Sequence, residues 1–377
     1  MQLDNIDTPQ TVLSKDLISA IQSNQRSQAE DILNSTEDIN VTFRSLYILA
    51  CRQKNIKSQL SSAFIYTDAI IELIKRLFQD EPLKLLNATL DYYCSLEYAE
   101  KDESFIKIKP NTGTNPVLVS ELEENIFEMD LEKALQTAKN LLLVIDSKKY
   151  FNELLLETAT KIFTPSGESI IVTNVLCKAI ELFDWRVIDE VIVFLLKFLT
   201  SPELMSAKQN IFSTEKEIKY AEYVLRAANH PNDHSKNLLF MAQARQVYRY
   251  ASAKYKEIWG YLTTFIENKL SNSSLPVFEE ISPVKGGIED FEKSLNVGDP
   301  ELTLALTNTL LQNEITSKEL FYLITQFMLE NRFFKNPEQI IYLNVARRLA
   351  TALDYPRNLH IYKPFLHYMF TSENKMN

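Results

Sequence analysis

Two histidines and an aspartate stand within five residues of one another in Asn229-His-Pro-Asn-Asp-His-Ser-Lys236, the one candidate constellation in the chain. His230, Asp233 and His234 are residue types that ligate metals or exchange protons near neutral pH. Two histidines four residues apart share a helix face, but Pro231 opposes a helix through His230. The same stretch also reads as a loop and a cap, with Asn232 or Asp233 opening a helix over 235–250. Two readings therefore stand: a catalytic group of His234, His230 and Asp233, with no metal assigned, or a loop whose histidines face water.

The remaining reactive side chains point to structure. His360 and His367 lie two turns apart, on one face if 359–370 is helical, among Tyr362, Phe365, Tyr368 and Phe370. This predicts an aromatic helix that buries one end of the fold. The neighbouring acids Glu123-Glu124 and Glu279-Glu280 point to different sides of a helix and read as solvated charge. Cys51, Cys94 and Cys177 each sit inside an apolar helical pattern, which predicts small buried hydrophobes in a reducing compartment. Six scattered glycines leave no phosphate-cradling loop, and no nucleophile elbow, zincin motif or paired Cys-x-x-Cys occurs.

The elements that must carry these residues are helices. Leu131, Ala134, Leu135, Ala138, Leu141 and Leu142 form one apolar stripe at three- and four-residue spacing. Leu302, Leu306, Leu310 and Leu311 form another, and 340–353 a broader one. Asp299-Pro300-Glu301, Asn336-Pro337-Glu338 and Ser201-Pro202-Glu203 share one helix-start grammar: a cap, a proline in the first turn, and an acid that suits the helix dipole. Asp80-Glu81-Pro82 is a looser version. Ser104 to Lys109 reads as a lone extended piece.

The pattern recurs along the chain. A shift of 169 positions places Asp130 on Asp299, Leu135 on Leu304, Leu141 on Leu310 and Leu154 on Leu323. One further residue of gap places Glu168 on Glu338 and Asp184-Trp185 on Asp354-Tyr355. A shift of 102 matches the stretch from Leu238 to Arg245 with that from Ile340 to Arg347. A shift of 105 places Leu17, Ile21 and Ala29 on Leu122, Ile126 and Ala134. Aspartates at 80, 130, 184, 299 and 354, with Ser252 in the copy between, punctuate the series and are explained as caps. The expected fold is all-α: a helical repeat, α-solenoid-like or of compact stacked helices, with internal duplication of roughly 55-residue three-helix units. Turn-rich stretches at 109–116 and 271–287 divide the chain into segments 1–109, 117–270 and 286–377.

The 377 residues are 45% hydrophobic and 24% charged, the balance of a folded protein. A net charge of −10, with no Lys/Arg cluster along the sequence to offset it, predicts no nucleic-acid partner. The N-terminus lacks a basic and then apolar leader, and no apolar run is long enough to cross a membrane, so a cytoplasmic location is expected.

Two features resemble the questin oxidase-like helical proteins. One is the helix, Asp turn and Ala-containing helix of Leu295-Asn-Val-Gly-Asp-Pro-Glu-Leu-Thr-Leu-Ala. The other is the histidine at a helix start in Asp233-His-Ser-Lys-Asn-Leu-Leu. The resemblance spans about residues 120 to 355. It implies an oxidative activity on a polyketide-like aromatic substrate, with His234 carried over. The residues themselves favour a helical-repeat interaction or scaffold protein with a protein partner. The alternative is a helical oxidoreductase of questin oxidase-like type with a pocket near His234, its cofactor and the oligomeric state unspecified.

Overall fold

A computed structural model describes residues 13–373, apart from 57, 103–106, 110–114, 146, 163, 165, 184–187, 206–219, 231–233, 251–265, 271–273, 277–280 and 332. Among the described residues the chain is all-α, with an isolated bridge between Gln53 and Tyr98 and a further bridge residue at Ile162. Of Ser104 to Lys109, read as a lone extended piece, 104–106 lie outside them, and in the described half Lys107 is helical rather than extended. No described helix is long and apolar enough to cross a membrane.

The chain folds into two compact units that interleave in sequence. The first comprises Met1–Asp68, Thr89–Thr164 and Val172–Asn210, and the second Ala69–Ala88, Pro165–Ile171 and Ile211–Asn377. Helix Ala63–Leu77 thus begins in one unit and ends in the other.

In the first unit, Asp189–Leu199 packs on Ile39–Cys51 and on Leu131–Val144, which in turn packs on Asn115–Phe127. Two ion pairs are built into this core. Arg52 donates from Nε and Nη2 to the two oxygens of Glu190, at 2.7 and 2.8 Å. Lys178 Nζ reaches both oxygens of buried Asp68, at 2.9 and 2.8 Å. Buried charges need such pairing, because one left alone in the interior costs several kcal/mol.

In the second unit, Pro337–Ala350 packs on His234–Tyr250 and on Leu359–Glu373, which also packs on Pro300–Gln312. Phe321 stacks on Tyr362 at 4.9 Å between ring centres, and Tyr342 meets Phe365 and Tyr368 edge-on. The aromatic helix expected at 359–370 is therefore present and buries Tyr362, Phe365 and Phe370, with Tyr368 half-buried. The leucine stripe on Pro300–Gln312 is corrected in one respect. Leu302 is 39% exposed, while Thr303 and Thr307 are fully buried. Their hydroxyls donate to the carbonyls of Asp299 and Thr303, one turn back, at 2.7 and 2.8 Å, which lets a polar residue occupy an apolar face.

Side-chain caps form at three of the expected helix starts. Asp130 accepts from Lys133 N at 3.0 Å, Asp299 from Glu301 N and Leu302 N at 3.0 and 3.1 Å, and Asn336 from Glu338 N at 3.1 Å. Helices begin at Pro82, Pro202, Pro300 and Pro337. Asp354 stands ahead of the helix that starts at Leu359 and does not cap it; Asp184 and Ser252 lie outside the described residues.

Helix boundaries also recur at the offsets read from the sequence. Lys148–Lys161, moved by 169 positions, lands on Ser317–Glu330, and Leu131 lands on Pro300. Asn24, Met129 and Gly298 fall at one equivalent place before the second helix of each set. All three have left-handed backbone, with φ of 54°, 60° and 75°.

Candidate functional site

Within the second unit, four stretches of chain converge on a recess of about 390 Å³. The last turns of Ala63–Leu77 supply Glu72, Lys75 and Arg76, which share a face by their three- and four-residue spacing. His234–Tyr250 supplies Ala242 and Arg245, and Lys318 comes from the first turn of Ser317–Glu330. The last turn of Pro337–Ala350 supplies Arg347, Arg348 and Leu349. Cations at the ends of two of these helices face the negative pole of the backbone dipole, which is where a helix tolerates them best. Ridge packing of Pro337–Ala350 on His234–Tyr250 brings Arg245 and Arg347 to the same recess. These are the two arginines matched by the 102-residue shift.

The floor is polar and tightly built. Arg347 is 6% exposed. Its Nη2 donates to Asn344 Oδ1 at 2.8 Å and lies 3.5 Å from Glu72 Oε2. Arg348 donates from Nη2 to the carbonyl of Ala242 at 2.7 Å. Arg347 Nε and Arg348 Nη1 are buried and meet no acceptor among the described residues. A buried donor left in that state costs on the order of 1–3 kcal/mol, and more when it carries charge. Burial pushes the Arg347 guanidinium down to about 10; Glu72 opposes the shift, while Arg348 and Arg76 add to it. Lys75, Arg76 and Lys318 are exposed at the rim, and Arg245 is half-buried.

Six cations thus face one carboxylate, in a chain whose net charge is −10. The absence of a Lys/Arg cluster holds along the sequence and fails in space. The described lining includes no histidine, cysteine or serine, and its one hydroxyl, on Thr351, donates back to the Arg347 carbonyl at 2.8 Å. Glu72 faces Arg347. The arrangement can hold an anion.

Of the histidine group read from the sequence, His230 is the one member whose side chain is described. His230 follows helix Tyr220–Ala228, half-buried, its N–H donating to the Ala227 carbonyl at 3.4 Å. His234 opens helix His234–Tyr250, one residue before the expected start; its side chain, with Asp233, lies outside the described residues. His230 is not among the described residues that line the recess. His367 Nε2 pairs with exposed Glu301 at 2.9 Å, apart from His360. Glu123, read as solvated charge, is drawn into an ion pair with Lys161 at 2.6 Å. Among the described residues, no group of three or more His, Cys, Asp or Glu side chains could hold a metal ion.

Sequence reasoning missed the cations because they arrive singly or in pairs from distant stretches. The available signal was two basic dipeptides, Lys75-Arg76 and Arg347-Arg348, each closing an apolar helix. No family model matches the chain, and neither a curated protein nor a solved structure matches it.

Proposed function

We propose that the protein is a helical-repeat interaction protein whose second unit captures an anionic group, with binding rather than catalysis as its task. The observation that carries this reading is the convergence of Lys75, Arg76, Arg245, Lys318, Arg347 and Arg348 on one recess. Preformed N–H donors in a partly desolvated site are what anion recognition requires. The recurrence of helix boundaries and of left-handed junctions supports the repeat. A cytoplasmic setting accords with the buried, unpaired thiols of Cys94 and Cys177. Nucleic acid is not the proposed partner, because the cations line a compact recess rather than a stripe that could track a phosphate backbone. Nothing among the described residues adds to the questin oxidase-like reading at His234.

The test is thermal unfolding with chloride, sulfate or inorganic pyrophosphate at matched ionic strength. Binding to the native state raises the melting temperature in proportion to occupancy. Pyrophosphate is expected to raise it and chloride to leave it unchanged. Arg245→Gln with Lys318→Gln should abolish the rise. Equal response to all three salts, or a rise that survives the double substitution, refutes the anion site.

A further inference from the structure

We infer that the recess takes a compact small molecule bearing several clustered phosphates, recognised through the phosphates alone; this rests on the anion-binding reading above. The first argument is charge. Six cations against Glu72 leave a surplus of five positive charges. A single phosphate monoester carries about −1.5 to −2 near neutral pH, too little to balance that surplus. About three phosphates balance it.

The second argument is the distribution of donors by depth. Arg347 is buried and Arg348 half-buried in the lining, while Lys75, Arg76 and Lys318 stand exposed at the rim. Guanidinium groups bind a phosphate in fixed fork geometry, and ammonium groups act as adaptable point charges. A floor of arginines under a rim rich in lysine suits one phosphate seated deep and others held around it.

The third argument is what the lining lacks. Ala242 and Leu349 are its apolar members, and no described lining residue is aromatic. A nucleobase gains affinity by stacking on an aromatic face or an apolar slot. The volume of about 390 Å³ falls at the small end of ligand sites. A linear inorganic polyphosphate and a phosphorylated polyol share the required chemistry.

The experiment is isothermal titration of the full chain at matched ionic strength with orthophosphate, inorganic tripolyphosphate, inositol hexakisphosphate and ATP. Vesicles of phosphatidylcholine with a phosphoinositide form a further arm. Tripolyphosphate, inositol hexakisphosphate or both should bind at least about tenfold tighter than orthophosphate, and ATP no tighter than tripolyphosphate. Whichever binds more tightly identifies the source. Lys75→Gln and Lys318→Gln should each weaken that binding by about fivefold at unchanged melting temperature. These rim variants keep the test valid should Arg347→Met fail to fold. Orthophosphate binding as tightly as tripolyphosphate overturns the clustered-phosphate inference and leaves the anion site standing. Binding of none of the four removes both. ATP binding about tenfold tighter than tripolyphosphate, or binding confined to the vesicles, overturns recognition of a free small molecule by phosphate alone.

Discussion

Met129 and Gly298 stand 169 positions apart and close the first helix of their sets with the same left-handed turn, at φ 60° and 75°. The hydrogen bonds agree: Met129 N donates to the Ile126 carbonyl and Gly298 N to the equivalent Leu295 carbonyl, at 3.1 and 3.2 Å. A side chain in this conformation costs about 1 kcal/mol or more, which glycine avoids.

The first prediction follows from that pair. Gly298→Ala should cost about 1 kcal/mol through the backbone, since a Cβ there would sit 3.7 Å from Phe370, an ordinary contact. Met129→Gly should be neutral or stabilising by up to about 1 kcal/mol, its relief of strain reduced by the freer unfolded chain. Urea unfolding midpoints read both. A stabilising Gly298→Ala or a strongly destabilising Met129→Gly breaks the equivalence. An experimental structure should superpose residues 122–161 on 291–330 with three helices in register.

Asp299→Ala should lower stability by about 1 kcal/mol, the usual worth of a helix N-cap, and leave pyrophosphate binding intact. Calorimetry with a parallel titration checks it. Lost binding at an unchanged melting temperature would move Asp299 from cap to site.

A third prediction concerns pH. The folded value of Arg347, about 10, lies below the ordinary value of an arginine. Its burial as a cation therefore opposes folding below about pH 10, and the penalty is relieved as pH rises from there toward that ordinary value. A bound anion holds the proton on. Stabilisation by sulfate, which stays dianionic, should hold level from about pH 7 to 9 and fall above about 10, where the free site discharges. Scanning fluorimetry across that range decides it; a gain that grows above pH 10 contradicts the placement of Arg347 on the floor. Glu72→Gln removes the opposing carboxylate, so it should tighten anion binding while lowering the melting temperature of the unliganded chain.

The double change His230→Ala with His234→Ala tests the group that stood out in the sequence. Metal content and anion binding should match the parent chain, as His230 is not among the described lining residues. Loss of a bound metal or of a copurifying ligand at constant melting temperature would restore the histidine site.

Fold class and helix starts were legible because both are local. Periodicity marks Leu131–Val144, and Asp299-Pro300-Glu301 marks a helix N-terminus, with no knowledge of the partner surface. Thr303 and Thr307 were not legible as core, since a hydroxyl reads as polar until its bond to the preceding turn is seen. The recess was illegible for a different reason. Lys75, Arg245, Lys318 and Arg347 become neighbours only through tertiary packing, and a chain-wide charge of −10 hides a local surplus of the opposite sign. The histidine cluster drew notice because its members are close in sequence, which is weak evidence for closeness in a site.

The recess joins positions 76, 245, 318 and 347, which lie 169, 73 and 29 positions apart in turn. An occupant touching all four walls would act as a reversible staple across three loops, and the longest loop bears the greatest closure entropy. Fraying at the end of any one helix could then proceed with the occupant in place, whereas opening of the whole unit would have to expel it. Amide exchange should accordingly slow in four separate helices together, including segments far from one another along the chain, while the remote first turns keep their own pace.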